Sequence, residues 1–230
     1  PVTVYQTTYY TSVELPVFNL ICSYMLWMRR GGMIANHEVL AGLHKELDLR
    51  TRSSRSAIVQ NLIEMSDREN KSGVEKDEIA AQLARVLNID YDGLKAKRIL
   101  QMMNQRELEE ISRNGVDVQL HTHRHRTPED EALFRKEIQE NRLTIRKATA
   151  TDPVHFCYPS GIYRQAFLPW LRKENVVSAT TCDAGLAARQ SETLLLPRFI
   201  DHQNRTQLEF ESWLTGVGDL LAVRRKAAQH

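Results

Sequence analysis

The 230-residue chain has little of what would assign it quickly to a functional class. It has three cysteines, Cys22, Cys157 and Cys182, and none belongs to a CxxC pair, which argues against a disulfide framework or a cysteine zinc site. The 31 basic and 29 acidic residues are mixed along the chain, so we do not expect the one-sided basic surface of a nucleic-acid-binding protein. The sequence therefore predicts buried free thiols and no nucleic-acid partner.

Long hydrophobic runs are also missing. The most apolar stretch, residues 13–28, is interrupted by Glu14, Pro16 and Asn19 and falls short of the roughly 20 apolar residues that a membrane span needs. No secretory signal is visible, so we expect a soluble chain without a transmembrane segment, cytoplasmic if no signal precedes it. The chain opens directly on a strand-like run at residues 2–5, and we expect its N-terminus to be incomplete.

What is present fits one globular domain over residues 1–230. The composition, 42% hydrophobic and 26% charged, can bury a full core. Strand-like and helix-like segments alternate, which predicts an α/β fold with a parallel sheet and with functional residues at the carboxyl ends of the strands. We expect a helix to open at Thr127 and Pro128 and a last strand over residues 194–200. A helical stretch at about 36–101 is interpreted as an insertion.

The most informative feature is a cluster of histidines that follows the strand-like run at residues 116–120. His121, His123 and His125 occupy three of five consecutive positions. Imidazole is a common metal ligand and titrates near neutrality, so such a cluster predicts a metal or an acid–base site. The spacing can bring His121 and His125 to one cation, although a catalytic metal needs at least a third ligand. The competing interpretation is a solvated basic loop, because Arg124 and Arg126 are interleaved with the histidines.

A second feature lies one helix further along the chain. The run Phe156-Cys157-Tyr158-Pro159-Ser160-Gly161 reads as a strand that ends in a tight turn. Such a turn can direct backbone N–H groups towards the end of the sheet, where they would suit an oxyanion. A Pro-Ser-Gly turn by itself is usually only structural.

In this order, the two motifs resemble the polysaccharide deacetylase family, also known as the NodB-homology or carbohydrate esterase 4 enzymes. The family's His-(Ser/Thr)-x-x-His motif is matched by His121, Thr122 and His125, and its Pro-x-Gly motif by residues 159–161. The resemblance covers roughly residues 1–220 and implies a distorted (β/α) barrel. It also implies a divalent metal ion, zinc, on His121 and His125, with His123 at the rim, and removal of N-acetyl or O-acetyl groups from a polysaccharide or amino-sugar substrate.

Departures from the family pattern leave several roles to be filled. The family's first strand ends in an Asp-Asp pair, which supplies a metal ligand and the general base, and this sequence contains no such pair, so we expect the chain to begin after that strand. Cys157 stands where the family usually has arginine. The resemblance leaves Arg198 as a substitute for that arginine and His202 as the catalytic acid, with Tyr158 and Ser160 as residues of the substrate and oxyanion site.

Two other functional classes remain open at this stage. His121-Thr122-His123 is also an HxH motif, as in binuclear amidohydrolase or PHP-type phosphoesterase barrels, where later histidines and aspartates complete the site. Beyond His125, only His155, His202 and His230 follow it in this chain. The third class is a catalytically inactive carbohydrate-binding relative, which the missing Asp-Asp pair favours.

Overall fold

The computed structural model describes residues 1–36, 40, 43 and 45–218. These residues form two compact units: the first combines Pro1–Tyr9 with the chain from Gln105 onward, and the second is Tyr10–Asn104. The second unit contains the whole segment that was interpreted as an insertion, of which residues 37–39, 41, 42 and 44 lie outside the described part. The single domain with an insertion stays a prediction.

The described elements follow one another in a fixed order along the chain. They are β1 (Thr3–Gln6), α1 (Tyr9–Val13), α2 (Phe18–Met28), β2 (Met33–Ala35), β3 (Glu46–Asp48), α3 (Arg52–Arg68), α4 (Gly73–Val86), α5 (Tyr91–Ala96), α6 (Gln105–Arg113), β4 (Asp117–Leu120), α7 (Glu131–Thr149), β5 (His155–Cys157), α8 (Phe167–Lys173), β6 (Ser178–Thr180) and α9 (Gln207–Leu214).

The first unit is built on a parallel sheet with the strand order β1-β4-β5-β6. The register pairs Tyr5 with Gln119 and Phe156 with Ala179. Because all four strands run in the same direction, their carboxyl ends meet at one edge, where the histidine cluster and the Pro-Ser-Gly turn both begin. The predicted α/β class with a parallel sheet is confirmed, whereas its closure into a barrel stays a prediction.

Helix α7 begins later than the sequence suggested. The prediction placed its start at Thr127 and Pro128, but the N-cap is Asp130, whose side chain accepts a hydrogen bond of 2.9 Å from the backbone N–H of Leu133. Thr127 and Asp130 are both residue types that cap helices well. Asp130 is the one whose carboxylate accepts from a free N–H group of the first turn. Residues 126–130 therefore belong to the loop that leaves the histidine cluster.

The prediction of a last strand over residues 194–200 is wrong. Thr193–Leu195 form a single 3-10 turn, and Leu196 makes one isolated parallel bridge to Thr180. Pro197 has no N–H to continue the ladder, and the next N–H, that of Arg198, donates to the carbonyl oxygen of Asp183 at 2.8 Å. The sheet therefore gains one bridge at this position.

The second unit is mainly helical, and its core is apolar. Helices α2, α3 and α4 pack their buried faces against one another, while β2 and β3 form an antiparallel pair. Thr51 and Ser72 cap α3 and α4 through complete capping boxes. Among the described residues of both units, no helix is long and apolar enough to span a bilayer.

Candidate metal and hydrolase site

The histidine cluster lies in a loop, residues 121–126, that turns back on itself directly after β4. Thr122 and His125 adopt left-handed backbone conformations, with φ of 59° and 56°. The buried Thr122 hydroxyl accepts a hydrogen bond of 3.1 Å from the backbone N–H of Arg126, which closes the loop. As a result, the rings of His121 and His125 lie edge to face, with centroids 4.9 Å apart and an angle of 67° between their planes. The structure thus brings together the two residues that the sequence paired.

Two hydrogen bonds fix His121, one made by its ring and one by its backbone. Its Nδ1 lies 2.7 Å from the carbonyl oxygen of Cys157, and its backbone N–H donates to Oδ1 of Asn141 at 2.9 Å. Since a carbonyl oxygen can only accept, Nδ1 carries the proton and the lone pair of the neutral ring is on Nε2. Burial lowers the pKa of His121 to about 4 against the raising effect of the Cys157 carbonyl, with His125 and Arg198 lowering it further. The ring is therefore neutral at pH 7 and can bind a cation through Nε2.

His123 points to a different partner. Its Nδ1 lies 2.9 Å from the hydroxyl oxygen of Thr8, and its ring stacks edge-on against Tyr9. Its backbone carbonyl accepts hydrogen bonds from the N–H groups of both residues, at 3.2 and 2.8 Å. Burial, together with the charge of Arg124, lowers the pKa of His123. These contacts tie His123 to the chain that follows β1.

A buried carboxylate on α7 holds the rest of the loop. Glu137 is only 1% exposed and accepts from the backbone N–H of Arg124 at 2.7 Å, from the Arg124 side chain at 3.1 Å and from Nε of Arg126 at 2.9 Å. Its backbone carbonyl accepts from the N–H of His123 at 3.1 Å. The two interleaved arginines are therefore anchored to a buried acid, which differs from the solvated basic loop that was the competing interpretation.

The Pro-Ser-Gly turn follows β5 as a single 3-10 turn. Ser160 is exposed and has a left-handed backbone with φ of 55°, and Gly161 has φ of 70°. Tyr158, in contrast, is fully buried, and its hydroxyl donates to the carbonyl oxygen of Leu194 at 3.0 Å. Burial raises the pKa of Tyr158. Tyr158 thus contacts protein atoms under the turn, while Ser160 lies on its outer side.

Arg198 and His202 have very different surroundings. The guanidinium of Arg198 donates to the sulfurs of Cys157 and Cys182, each at 3.2 Å, and lies close enough to influence the charge of His121. His202 is exposed, and its Nε2 lies 3.3 Å from the Arg205 side chain. Within the described part of the chain, no hydrogen bond, ion pair or ring contact joins His202 to the histidine pair.

Three supporting groups were missed by reasoning from the sequence: the carboxylate of Glu137, the amide of Asn141 and the carbonyl of Cys157. A signal for the first two was available. The buried face of α7 contains Phe134, Ile138 and Ile145, and Glu137 and Asn141 fall on that same face. A polar residue on an apolar helical stripe needs a buried partner. The backbone carbonyl leaves no such trace in a sequence.

The pair of imidazoles fits a metal site in part. The fixed tautomer of His121 and the nearby ring of His125 are suitable for two ligands of one divalent ion. Among the described residues, no group of three or more His, Cys, Asp or Glu side chains is arranged to hold a metal ion. A catalytic site of this type therefore needs one further ligand.

Comparison with known proteins finds similarities to deacetylases. A search of curated proteins finds no match. Similar solved structures include the Streptococcus pyogenes deacetylase PplD in complex with acetate, with 18% identity over 59% of this chain and 63% of that chain and a TM-score of 0.46. They also include a polysaccharide deacetylase from Bacillus cereus, with 20% identity over 50% of this chain and 38% of that chain and a TM-score of 0.45. A third is IcaB from Ammonifex degensii, with 18% identity over 51% of this chain and 53% of that chain and a TM-score of 0.42.

The chain spans between 38% and 63% of the length of these three structures. The family model that matches is described as polysaccharide deacetylase, and it matches residues 92–178, which include the histidine loop and the Pro-Ser-Gly turn. This match confirms the resemblance predicted from the two motifs, since residues 92–178 are similar to the polysaccharide deacetylase family.

Proposed function

We propose that the protein is a metal-dependent hydrolase that removes N-acetyl or O-acetyl groups from a polysaccharide or amino-sugar substrate, with zinc as the metal. One observation carries the proposal: the ring centroids of His121 and His125 lie 4.9 Å apart inside a segment that matches the polysaccharide deacetylase family. A divalent ion supplies Lewis-acid polarisation of a carbonyl and lowers the pKa of water to about 7.

The first task of the protein in this reaction is to present two neutral imidazoles. Asn141 and the Cys157 carbonyl hold the His121 ring with its Nε2 lone pair available. His125 joins it because the loop closes on the Thr122 hydroxyl. Supporting hydrogen bonds of this kind typically contribute about 10–100-fold to metal affinity.

The second task is to stabilise the negative charge that develops on the substrate carbonyl oxygen during hydrolysis. We assign this role to the backbone N–H of Ser160, because that residue is exposed on a turn that begins at the carboxyl end of β5. Tyr158, the residue before this turn, supports the role because its buried hydroxyl is fixed on the Leu194 carbonyl. The proposal leaves a third metal ligand and a general base to groups outside the described set.

The third task is to deliver a proton to the leaving amine. We assign it to His202, because its ring is exposed and among the described residues its only hydrogen bond is to Arg205. Arg198 is assigned a positioning role, because its charge acts on His121. Both assignments rest on the family resemblance together with these placements.

The test is a zinc titration of the chain by calorimetry, followed by an assay of acetate release from an N-acetylglucosamine oligomer. We expect one ion per chain, and we expect His121→Ala and His125→Ala each to weaken zinc binding by at least ~10-fold. The matched control is His155→Ala, because His155 lies on β5 and bonds to Ser178 at 2.8 Å without a place in the proposed site.

The outcomes separate the three functional classes. Full zinc binding by His121→Ala contradicts the ligand assignment, and two ions per chain favour the binuclear hydrolase. Zinc binding without acetate release, or the absence of both, favours the carbohydrate-binding relative. That alternative draws support from the missing third ligand among the described residues.

A further inference from the structure

Two free thiols share a single guanidinium beside the histidine pair. Nη1 of Arg198 donates to Sγ of Cys157 and Nη2 donates to Sγ of Cys182, each at 3.2 Å. The two nitrogens belong to one rigid planar group, so a single guanidinium contacts both sulfurs. All three cysteines of the chain are free thiols.

A second contact brings Cys182 to the chain that follows Cys157. A Cβ atom added to Gly161 would lie 2.6 Å from Cβ and 2.8 Å from Sγ of Cys182, so only glycine permits this approach. Cys157 is the last residue of β5, and its register partner on β6 is Thr180, two residues before Cys182. The loop after β6 therefore lies directly against the turn after β5.

The two thiols differ in their access to solvent. Cys157 is only 2% exposed, whereas Cys182 is partly exposed. A small oxidant in solution would therefore react with Cys182 before Cys157. Reversible thiol oxidation depends on this combination of an accessible cysteine and a nearby resolving cysteine. Cys22 differs from both, because it is fully buried in the apolar core of the second unit, and burial raises its pKa to about 12.

We propose that Cys182 and Cys157 form an oxidisable dithiol that is converted to a disulfide by hydrogen peroxide. The Cys182 sulfur attacks the peroxide oxygen, the O–O bond breaks, and the products are a sulfenic acid on Cys182 and water. The Cys157 thiol then attacks the sulfenic sulfur, forming the S–S bond and releasing a second water. In total, two thiols and one hydrogen peroxide give one disulfide and two waters, with the two electrons supplied by the thiols.

The cysteine pair adjoins His121, one of the two proposed metal ligands. Cys157 supplies a thiol with its side chain and the hydrogen-bond acceptor of His121 with its backbone carbonyl. The dithiol itself needs neither metal nor deacetylase activity, so its test is independent of the proposed function.

The experiment treats the reduced full chain with hydrogen peroxide and measures its intact mass and its alkylatable thiols under denaturing conditions. We expect the mass to fall by two hydrogens and the thiols to fall from the three free cysteines to one. Peptide mapping should show Cys157 linked to Cys182, and dithiothreitol should restore all thiols.

Three variants make the outcome specific. Cys182→Ser should leave Cys157 alkylatable, Cys157→Ser should stop at a sulfenic acid that a dimedone probe captures on Cys182, and Cys22→Ser should form the disulfide normally. The proposal is overturned if the wild-type chain gains oxygen without losing hydrogens, if the disulfide includes Cys22 or joins two chains, or if all thiols survive a peroxide dose that fully oxidises a free cysteine peptide.

Discussion

Two loops of the first unit carry candidate functional histidines, and they are built in opposite ways. The loop at residues 121–126 is held by the buried side chains of Glu137 and Asn141, which α7 presents from its apolar face. The segment at residues 198–206 leaves His202 exposed with one bond to Arg205, whose guanidinium stacks over Phe199 at 4.3 Å. Metal ligands need a fixed geometry, whereas a proton donor must approach a substrate. The difference between the two loops therefore matches the roles proposed for the pair His121 and His125 and for His202.

The largest effect is expected from the change Glu137→Ala. It leaves two arginines and a backbone N–H without the buried acceptor that holds them, and the breaking of a buried ionic network of this kind typically costs about 3 kcal/mol or more. Urea unfolding monitored by circular dichroism would measure the loss. The matched control is Glu129→Ala, which removes an exposed partner of Arg164 and should change the free energy of unfolding by less than about 1 kcal/mol. Equal losses in both variants would show that Glu137 does not stabilise the loop.

A smaller effect is expected from Asn141→Ala. The amide side chain accepts from the N–H of His121 and donates to the Gln6 carbonyl and the Thr8 hydroxyl, and the loss of such buried partners costs about 2 kcal/mol. Because His121 also loses its orienting bond, zinc affinity should fall by about 10-fold. Thermal unfolding and calorimetry give the two values, with the exposed Asn204→Ala as control. An unchanged zinc affinity would mean that the Cys157 carbonyl alone orients the ring.

The smallest effect on stability is expected from His202→Ala. An exposed ring with a single bond to Arg205 should contribute less than about 0.5 kcal/mol to the free energy of unfolding. Zinc affinity should also stay unchanged, while acetate release should slow by about 100-fold if His202 is the proton donor. With a substrate whose leaving group needs no proton, the rate of His202→Ala should recover most of the wild-type value. A full rate for His202→Ala on the ordinary substrate would remove it from the mechanism.

Reasoning from the sequence succeeded where local pattern decides the structure. The apolar helix at Phe18–Met28 and the strand ends before His121 and Pro159 were predicted, because their signals lie within a few adjacent residues. It failed at the start of α7, where two capping candidates stand three residues apart, and after Leu196, where a single bridge replaces the predicted strand. Pairing in a sheet depends on distant partners and on available N–H groups, which a local pattern does not contain.

The sequence by itself determined the α/β class, the match of residues 92–178 to the polysaccharide deacetylase family model and the prediction that His121 and His125 lie close together, because residue types and short spacings carry these properties. Only the tertiary structure decided which groups hold them. Asn141 reaches His121 from another element, the Cys157 carbonyl fixes its tautomer, and Arg198 joins two cysteines that are 25 residues apart in the sequence. These contacts bring together groups that are far apart along the chain, and their geometry exists only once the sheet and α7 have packed.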